Sequence, residues 1–252
     1  MKYALVDKVR TEAQKGLIGI CPICHEPLVP RCGSKKINHW AHKKSTHCDK
    51  WWESETEWHR SWKNKFPQEW QEVVAFDKIS GEKHIADIKT NYGIVYEFQH
   101  SYIKEEERIS RENFYINMAW IVDGTRRKRD YIKFLEAFEY GSIWNNGNNE
   151  ELWILENGNN YLPTEWLNSR FPVYFDFKGL LTDSTNDLKR EYLWCLLPIR
   201  GNNINILIKI ARDVFVDCVK NKGGILFKDD LIKQEANSLI QRRYYLRRYR
   251  GY

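Results

Sequence analysis

The chain has 252 residues, eleven of them tryptophan, and a formal net charge of +6 from 40 Lys and Arg against 34 Asp and Glu. No run of eighteen apolar residues occurs, so no membrane span is expected, and the start MKYALVDKVRTEAQKG lacks the apolar core and cleavage site of a signal peptide. The expected compartment is the cytoplasm, where six cysteines read as metal ligands or core residues rather than as disulfides.

The first fifty residues read as a small metal-closed module. Tyr3 to Val6 and Leu17 to Ile20 are short strand candidates, followed by CPICHEPLVPRCGSKKINHWAHKKSTHC. Cys21 and Cys24 are spaced so that both thiolates can grip one ion, and His39 and His42 follow after fourteen intervening residues. Four such ligands suit a tetrahedral structural zinc, which stabilises a unit too small to build its own core. The gap between the histidines is one residue short of the zinc-finger pattern, and on a regular strand they would face opposite sides. The backbone must turn for both to bind. Cys48 is the first substitute, with Cys32 and His47 as further candidates; a redox CxxC or unrelated buried cysteines are the competing readings.

Residues 51–125 carry the richer pattern. WWESETEWHRSWKNKF reads as a helix with an apolar stripe of Trp51, Trp58, Trp62 and Phe66, ended by Pro67. On it Glu55, His59 and Lys63 share a face at i, i+4 and i+8, which also fits a solvated face with ion pairs. A strand at Val73 to Phe76 follows. Then HIADIKTNYGIVYEFQHS suggests a hairpin turning at Tyr92-Gly93, with Asp87 on one strand and Glu97 and Gln99 together on one face of the other. A helix from Ile103 to Tyr115 leads into the apolar run Ala119 to Val122, read as a strand buried on both faces. The order is αβββαβ.

The combination CPIC…NHWAH, EWHRSWK, HIADI and YEFQHSYI…RENFYINMAWIVDG resembles the competence protein CoiA-like family over the first half of the chain. The resemblance implies an α/β fold with a restriction-endonuclease-like, or PD-(D/E)XK, nuclease core. It places Asp87 as the metal-binding aspartate, Glu97 as the second acidic ligand, and Gln99 where most of that superfamily carries lysine. The backbone carbonyl of Phe98 becomes an extra ligand by the same likeness. Ser101, His59 and Lys63 fall on the family's strand-end and first-helix motifs.

Such a site would hydrolyse phosphodiesters with Mg²⁺ or Mn²⁺, because the cation polarises both phosphate and water. Glutamine carries no charge, so Lys63 is expected to supply the missing cation from the first helix and His59 to orient water or substrate. Glu55 would be a third acid, with Glu53 and Glu57 as alternatives.

Residues 126–252 are expected to form a mixed α/β C-terminal region. Thr125 to Phe138 reads as a helix whose basic start (Arg126, Arg127, Lys128) suits a phosphate track, although a solvated helix start is the commoner meaning of such a run. A strand at Leu152 to Leu155 within Asn- and Gly-rich loops comes next, then strands at Arg170 to Asp176 and Leu193 to Leu197. Ile204 to Lys220 reads as a helix or a strand running into one, and Asp229 to Tyr249 as a helix. Cys195 and Cys218 sit among apolar residues and read as core. Arg242, Arg243, Arg247 and Arg248, interleaved with tyrosines, could grip nucleic acid by charge and stacking, or cover a packed helix. The expected partners are DNA and recombination or other DNA-processing proteins. Two other classes compete with the nuclease: a DNA-binding accessory factor that has lost turnover, and a zinc-bearing adaptor.

Overall fold

The structure, a computed structural model, describes residues 1–34, 36–43, 48–140, 142–145, 151–177, 191–201, 203–224 and 230–249. The described residues form a mixed α/β protein with two sheets and six helices. None of these helices is long and apolar enough to cross a membrane.

The N-terminal sheet contains β1 (Tyr3–Val6), β2 (Val9–Glu12), β3 (Gly19–Ile20), β4 (Pro27–Arg31) and β5 (His39–His42), in the order β2-β1-β3-β4-β5. Among the described residues its buried core is Ala4, Ala13, Cys21, Leu28 and Trp40, with partly buried residues such as Met1, Val6 and Leu17 packed against them. So small a core does little to hold five short strands together. The sheet leans instead on the rest of the chain. The Glu72 carboxylate accepts the backbone N–H groups of Lys2 (2.7 and 2.9 Å) and Tyr3 (3.0 Å), and Lys2 Nζ reaches Gln71 Oε1 at 2.8 Å.

The helix expected from Trp51 forms late and short, as α1 (Glu57–Lys63). Thr56 is the reason. Its hydroxyl accepts the His59 N–H while His59 Nδ1 accepts the Thr56 N–H, a reciprocal cap that fixes the start. Trp51 and Glu55 therefore precede the helix, and the i, i+4, i+8 face assigned to Glu55, His59 and Lys63 holds only for the last two.

The large sheet begins with β6 (Gln71–Phe76), β7 (Lys83–Lys89) and β8 (Val95–Gln99). The hairpin between β7 and β8 turns where expected, with Gly93 at φ +78°, a conformation that glycine adopts without strain. Then come α2 (Glu105–Tyr115) and β9 (Met118–Asp123), which is buried throughout and runs parallel to β8. The αβββαβ order is thus present from Glu57 to Asp123.

Beyond it lie α3 (Lys128–Tyr140), β10 (Ser142–Asn145), β11 (Glu151–Glu156), α4 (Thr164–Leu167), β12 (Val173–Asp176), β13 (Tyr192–Gly201), β14 (Ile204–Ala211), α5 (Arg212–Lys222) and α6 (Asp230–Tyr249). The nine strands are ordered β10-β11-β14-β13-β12-β9-β8-β7-β6, and the sheet crosses residue 125 without a break because β12 pairs in parallel with β9. Ile204 to Lys220 takes the strand-into-helix form. Cys195 is buried and Cys218 packs against the same core.

Two apolar layers cover the sheet. Trp58 and Trp62 of α1, Phe215 and Val219 of α5, and Leu239 and Ile240 of α6 fill one face. Tyr115 of α2, Phe134 and Ala137 of α3, and Trp166 of α4 fill the other, together with Trp51. The first layer carries a polar anchor among its helix contacts. Buried Asp176 at the end of β12 accepts the indole N–H of Trp58 and of Trp62, each at 2.9 Å, and pairs with Arg212.

Candidate functional site

Two clusters of chemistry-bearing side chains face a common space. The first is in the N-terminal sheet, where Cys21, Cys24, His42 and Cys48 bring their ligand atoms within 4.8 Å of one another. The sulfurs of Cys21 and Cys48 are 3.5 Å apart, and Cys24 Sγ lies 3.2 Å from His42 Nε2. A tetrahedron with Zn–S bonds of about 2.3 Å has edges of roughly 3.8 Å, so these atoms are nearly at bonding positions. Burial pushes the Cys21 and Cys48 thiols up, so they would ionise only on binding a cation. Three soft thiolates and one imidazole fit a structural zinc.

His39 stands outside this cluster, and Cys48 takes the fourth place. The cause is the strand parity: three residues apart on β5, His39 and His42 cannot both face the knuckle of Cys21 and Cys24 without a turn, and β5 has none. His39 Nδ1 instead meets the Ile37 carbonyl at 2.9 Å. Cys32 Sγ lies against the Ala13 carbonyl, and His47 lies outside the described residues.

The second cluster is built on β7 and β8. The two strands pair at Ile88–Tyr96 and Lys89–Val95, which puts Asp87 and Glu97 next in line, opposite one another. There the backbone ladder gives way to side chains. The Asp87 N–H donates to Glu97 Oε1 (3.2 Å), and the Phe98 N–H donates to Asp87 Oδ2 (3.0 Å).

Lys63 arrives from α1 with Nζ 3.0 Å from Asp87, 2.9 Å from Glu72 and 3.5 Å from Glu55. Glu72 also falls opposite Asp87, between the pairs Gln71–Ile88 and Val73–Ala86, so Lys63 offsets two like charges across adjacent strands. Burial alone would lower the Lys63 ammonium, but Glu72, Asp87 and Glu55 more than reverse it and hold it well above the usual lysine value. Lys63 is therefore a fixed positive charge and not a proton acceptor. Glu55 is the counterpart: burial opposes its ionisation, yet Lys63 and the bidentate Arg60 (3.0 and 2.8 Å) bring it down to about 2.

Glu97 behaves oppositely. It is fully buried, and desolvation together with the Asp87 charge pushes it up to about 8, although Arg111 Nη1 stands 3.2 Å from Oε2 and favours the anion. The other nitrogens of Arg111 meet Glu107 and the Trp51 carbonyl.

His59 has a definite tautomer. Its Nδ1 accepts the Thr56 N–H, so Nε2 carries the proton and donates to the Phe98 carbonyl at 3.0 Å. It thus holds the carbonyl that the family likeness marked as a ligand. Gln99 spends its amide on Glu53 Oε2 (3.1 Å), the Ser101 carbonyl (3.1 Å) and the Ser101 hydroxyl (3.2 Å). Its Oε1 is buried with no hydrogen-bond partner among the described residues.

Asp87, Glu97, Lys63 and Glu55 line a cavity of about 220 Å³ that His39 to His42 and Cys48 also line. Gln99 and Ser101 stand outside that lining. Glu53, held by Gln99, Ser101 and His59, is the acid beside β8, whereas Glu57 is exposed. The basic residues lie elsewhere. Arg126 and Lys128 are exposed, while Arg127 pairs with Asp130 and Glu165. On α6, Arg242 and Arg248 are exposed beside Tyr244, Tyr245 and Tyr249; the side chains of Arg243 and Arg247 lie outside those described.

Glu72 and Arg111 were not picked out from the sequence. Glu72 opens an apolar strand and Arg111 lies in a mixed-charge helix, and in each case only pairing across elements reveals the role.

Residues 10–50 match the family model of the competence protein CoiA, N-terminal domain. The match supports membership of the competence protein CoiA family, the family that the motifs resemble. It spans all four residues of the Cys/His cluster and ends before Asp87 and Glu97. No curated protein and no solved structure matches the chain.

Proposed function

We propose that the protein is a metal-dependent nuclease-like protein that acts on DNA, with a PD-(D/E)XK core over residues 51–125 and a structural zinc in its first fifty residues. The observation that carries this reading is the pair Asp87 and Glu97, opposed on adjacent strands, facing a cavity, with Lys63 3.0 Å from Asp87. The sheet supports it as well: three antiparallel strands followed by a helix and a parallel strand fit that core.

The oxygen donors fit a hard divalent cation. Asp87 and Glu97 would hold Mg²⁺ or Mn²⁺, with the Phe98 carbonyl adjacent, and the cation would polarise a scissile phosphate and lower the pKa of bound water. Lys63, permanently charged and delivered from α1, supplies the positive charge that Gln99 cannot. His59 keeps the Phe98 carbonyl aimed, and Glu97 gives up its proton as the site loads. The link of the CoiA family to competence supports a setting in DNA uptake, recombination or defence-related processing.

One observation favours a second reading, a DNA-binding accessory factor without turnover. Both acids already have cationic partners, Lys63 for Asp87 and Arg111 for Glu97. Cleavage of DNA with Mg²⁺ or Mn²⁺ decides between them. The nuclease reading expects cleavage that is lost in Asp87→Ala and Glu97→Ala and strongly reduced in Lys63→Ala. Cleavage that persists in Asp87→Ala rules this active site out, and tight DNA binding without cleavage favours the accessory factor.

A further inference from the structure

Six residues, Cys48 to Glu53, connect the Cys/His cluster to the acidic site and contact β7, the end of β8 and α2. Directly after Cys48, the buried Asp49 carboxylate accepts the Ile85 N–H at 2.9 Å and the Trp51 N–H at 2.9 Å, and lies 2.7 Å from His84 Nδ1. Ile85 and Asp87 lie on one face of β7, two residues apart. Trp51 stacks on His84, with ring centroids 3.2 Å apart, and its carbonyl accepts from Arg111 Nη2 at 2.9 Å. That arginine is the one that meets Glu97. Glu53 then takes the Ser101 N–H at 2.5 Å and the Gln99 amide at 3.1 Å, just past Glu97 and Phe98.

The strand before Asp87, the arginine beside Glu97 and the chain just past Glu97 are thus fixed from the strap, while Lys63 reaches Asp87 independently of it. The strap begins at a candidate zinc ligand. With the cluster closed, Cys48 is anchored to Cys21, Cys24 and His42. Opened, the chain ahead of Asp49 loses that anchor, and ordering the strap falls to its own contacts, against the entropy of a freed segment.

We propose that Cys48–Glu53 couples the two clusters, so that zinc at the cysteines and a divalent cation at Asp87 and Glu97 each strengthen binding of the other. This rests on the reading of Asp87 and Glu97 as a cation site. Asp49 and Trp51 are positioning residues. Coupling of this kind is reciprocal and typically about 5- to 150-fold in affinity.

The test uses the full-length protein. Mn²⁺ affinity is measured by electron paramagnetic resonance for wild type, Asp49→Asn and Asp87→Asn, alongside zinc content and amide hydrogen exchange. Asp49→Asn should keep one zinc per chain and bind Mn²⁺ about tenfold more weakly. Its amides at Ile85 to Asp87 and Phe98 to Ser101 should exchange faster, with β13 unchanged. Zinc-stripped wild type should show the same local change. Mn²⁺ affinity in Asp49→Asn equal to that of wild type overturns the coupling. Should wild type and Asp87→Asn both fail to bind Mn²⁺, the cation-site reading fails, and hydrogen exchange then decides the strap: unchanged exchange at Ile85 to Asp87 on zinc removal overturns it.

Discussion

Glu97→Gln should make the protein more stable at alkaline pH, and the size of the gain follows from the buried carboxyl. In the folded chain Glu97 is held up to about 8 by desolvation and by Asp87, against an ordinary value of 4.5. Between those two values the folded state keeps the proton and the unfolded state has released it. Stability therefore falls as pH rises through this window, by about 1.4 kcal/mol per pH unit, on the order of 5 kcal/mol in all. Glutamine mimics the protonated side chain and removes the penalty. The assay is urea unfolding of wild type and variant from pH 4.5 to 9 with the zinc cluster loaded and no other divalent cation. The difference between the two should be small near pH 4.5, grow steadily to about pH 8, and level off above it. Parallel profiles would refute the argument, because they would mean that Arg111 keeps Glu97 ionised throughout.

The same proton must leave for Asp87 and Glu97 to hold a cation, so Mn²⁺ affinity should rise about tenfold per pH unit up to about pH 8 and flatten beyond; titration calorimetry at several pH values checks this. Lys63→Met leaves Glu55, Glu72 and Asp87 facing one another without their shared cation and should cost about 3 to 5 kcal/mol, read from denaturant midpoints. A loss below about 1 kcal/mol would place Lys63 with ordinary surface pairs. Cys48→Ala should lose zinc measured by metal analysis, whereas His39→Ala should retain it. If the exposed Arg242 and Arg248 contact DNA phosphates, replacing both by alanine should make the plot of log affinity against log salt shallower by about 2.

What could be read from residues alone was whatever depends on local pattern. The alternation in HIADIK and YEFQ, the turn at Tyr92-Gly93 and the apolar run after Asn117 gave β7, β8 and β9 in order and direction. The knuckle of Cys21 and Cys24 gave half of the cluster that could hold zinc. The first helix was misread at its start. The stripe through Trp51, Trp58, Trp62 and Phe66 fits helical spacing, yet Trp51 faces His84 on the other side of the sheet from Trp58. Spacing records which residues are apolar and not which layer receives them. The capping box that stops the helix at Thr56 was present in the sequence as Thr56 followed by His59 at the third helical position, but histidine in place of Glu or Gln hides it. Similarly, the choice of Cys48 over His39 turns on strand parity, and it becomes decidable only once β5 is known to be straight. Glu72 and Arg111 had no local signal, since each acquires its role through partners at least nine residues away on other elements.

Asp176 bears on how the chain can be dissected. The groups proposed to do chemistry lie before residue 125, but α1, which delivers Lys63 and His59, hangs by two indole N–H bonds from an aspartate on β12. The same aspartate meets Arg212 at the head of α5, and β12 covers what would otherwise be the open edge of β9. A fragment ending near residue 125 would therefore keep every proposed ligand, yet it would expose a fully buried strand edge and leave the helix carrying its fixed cation without its polar anchor. Minimal functional units of this protein therefore have to retain β12 and α5, and α6 can be trimmed only beyond its buried Leu239 and Ile240.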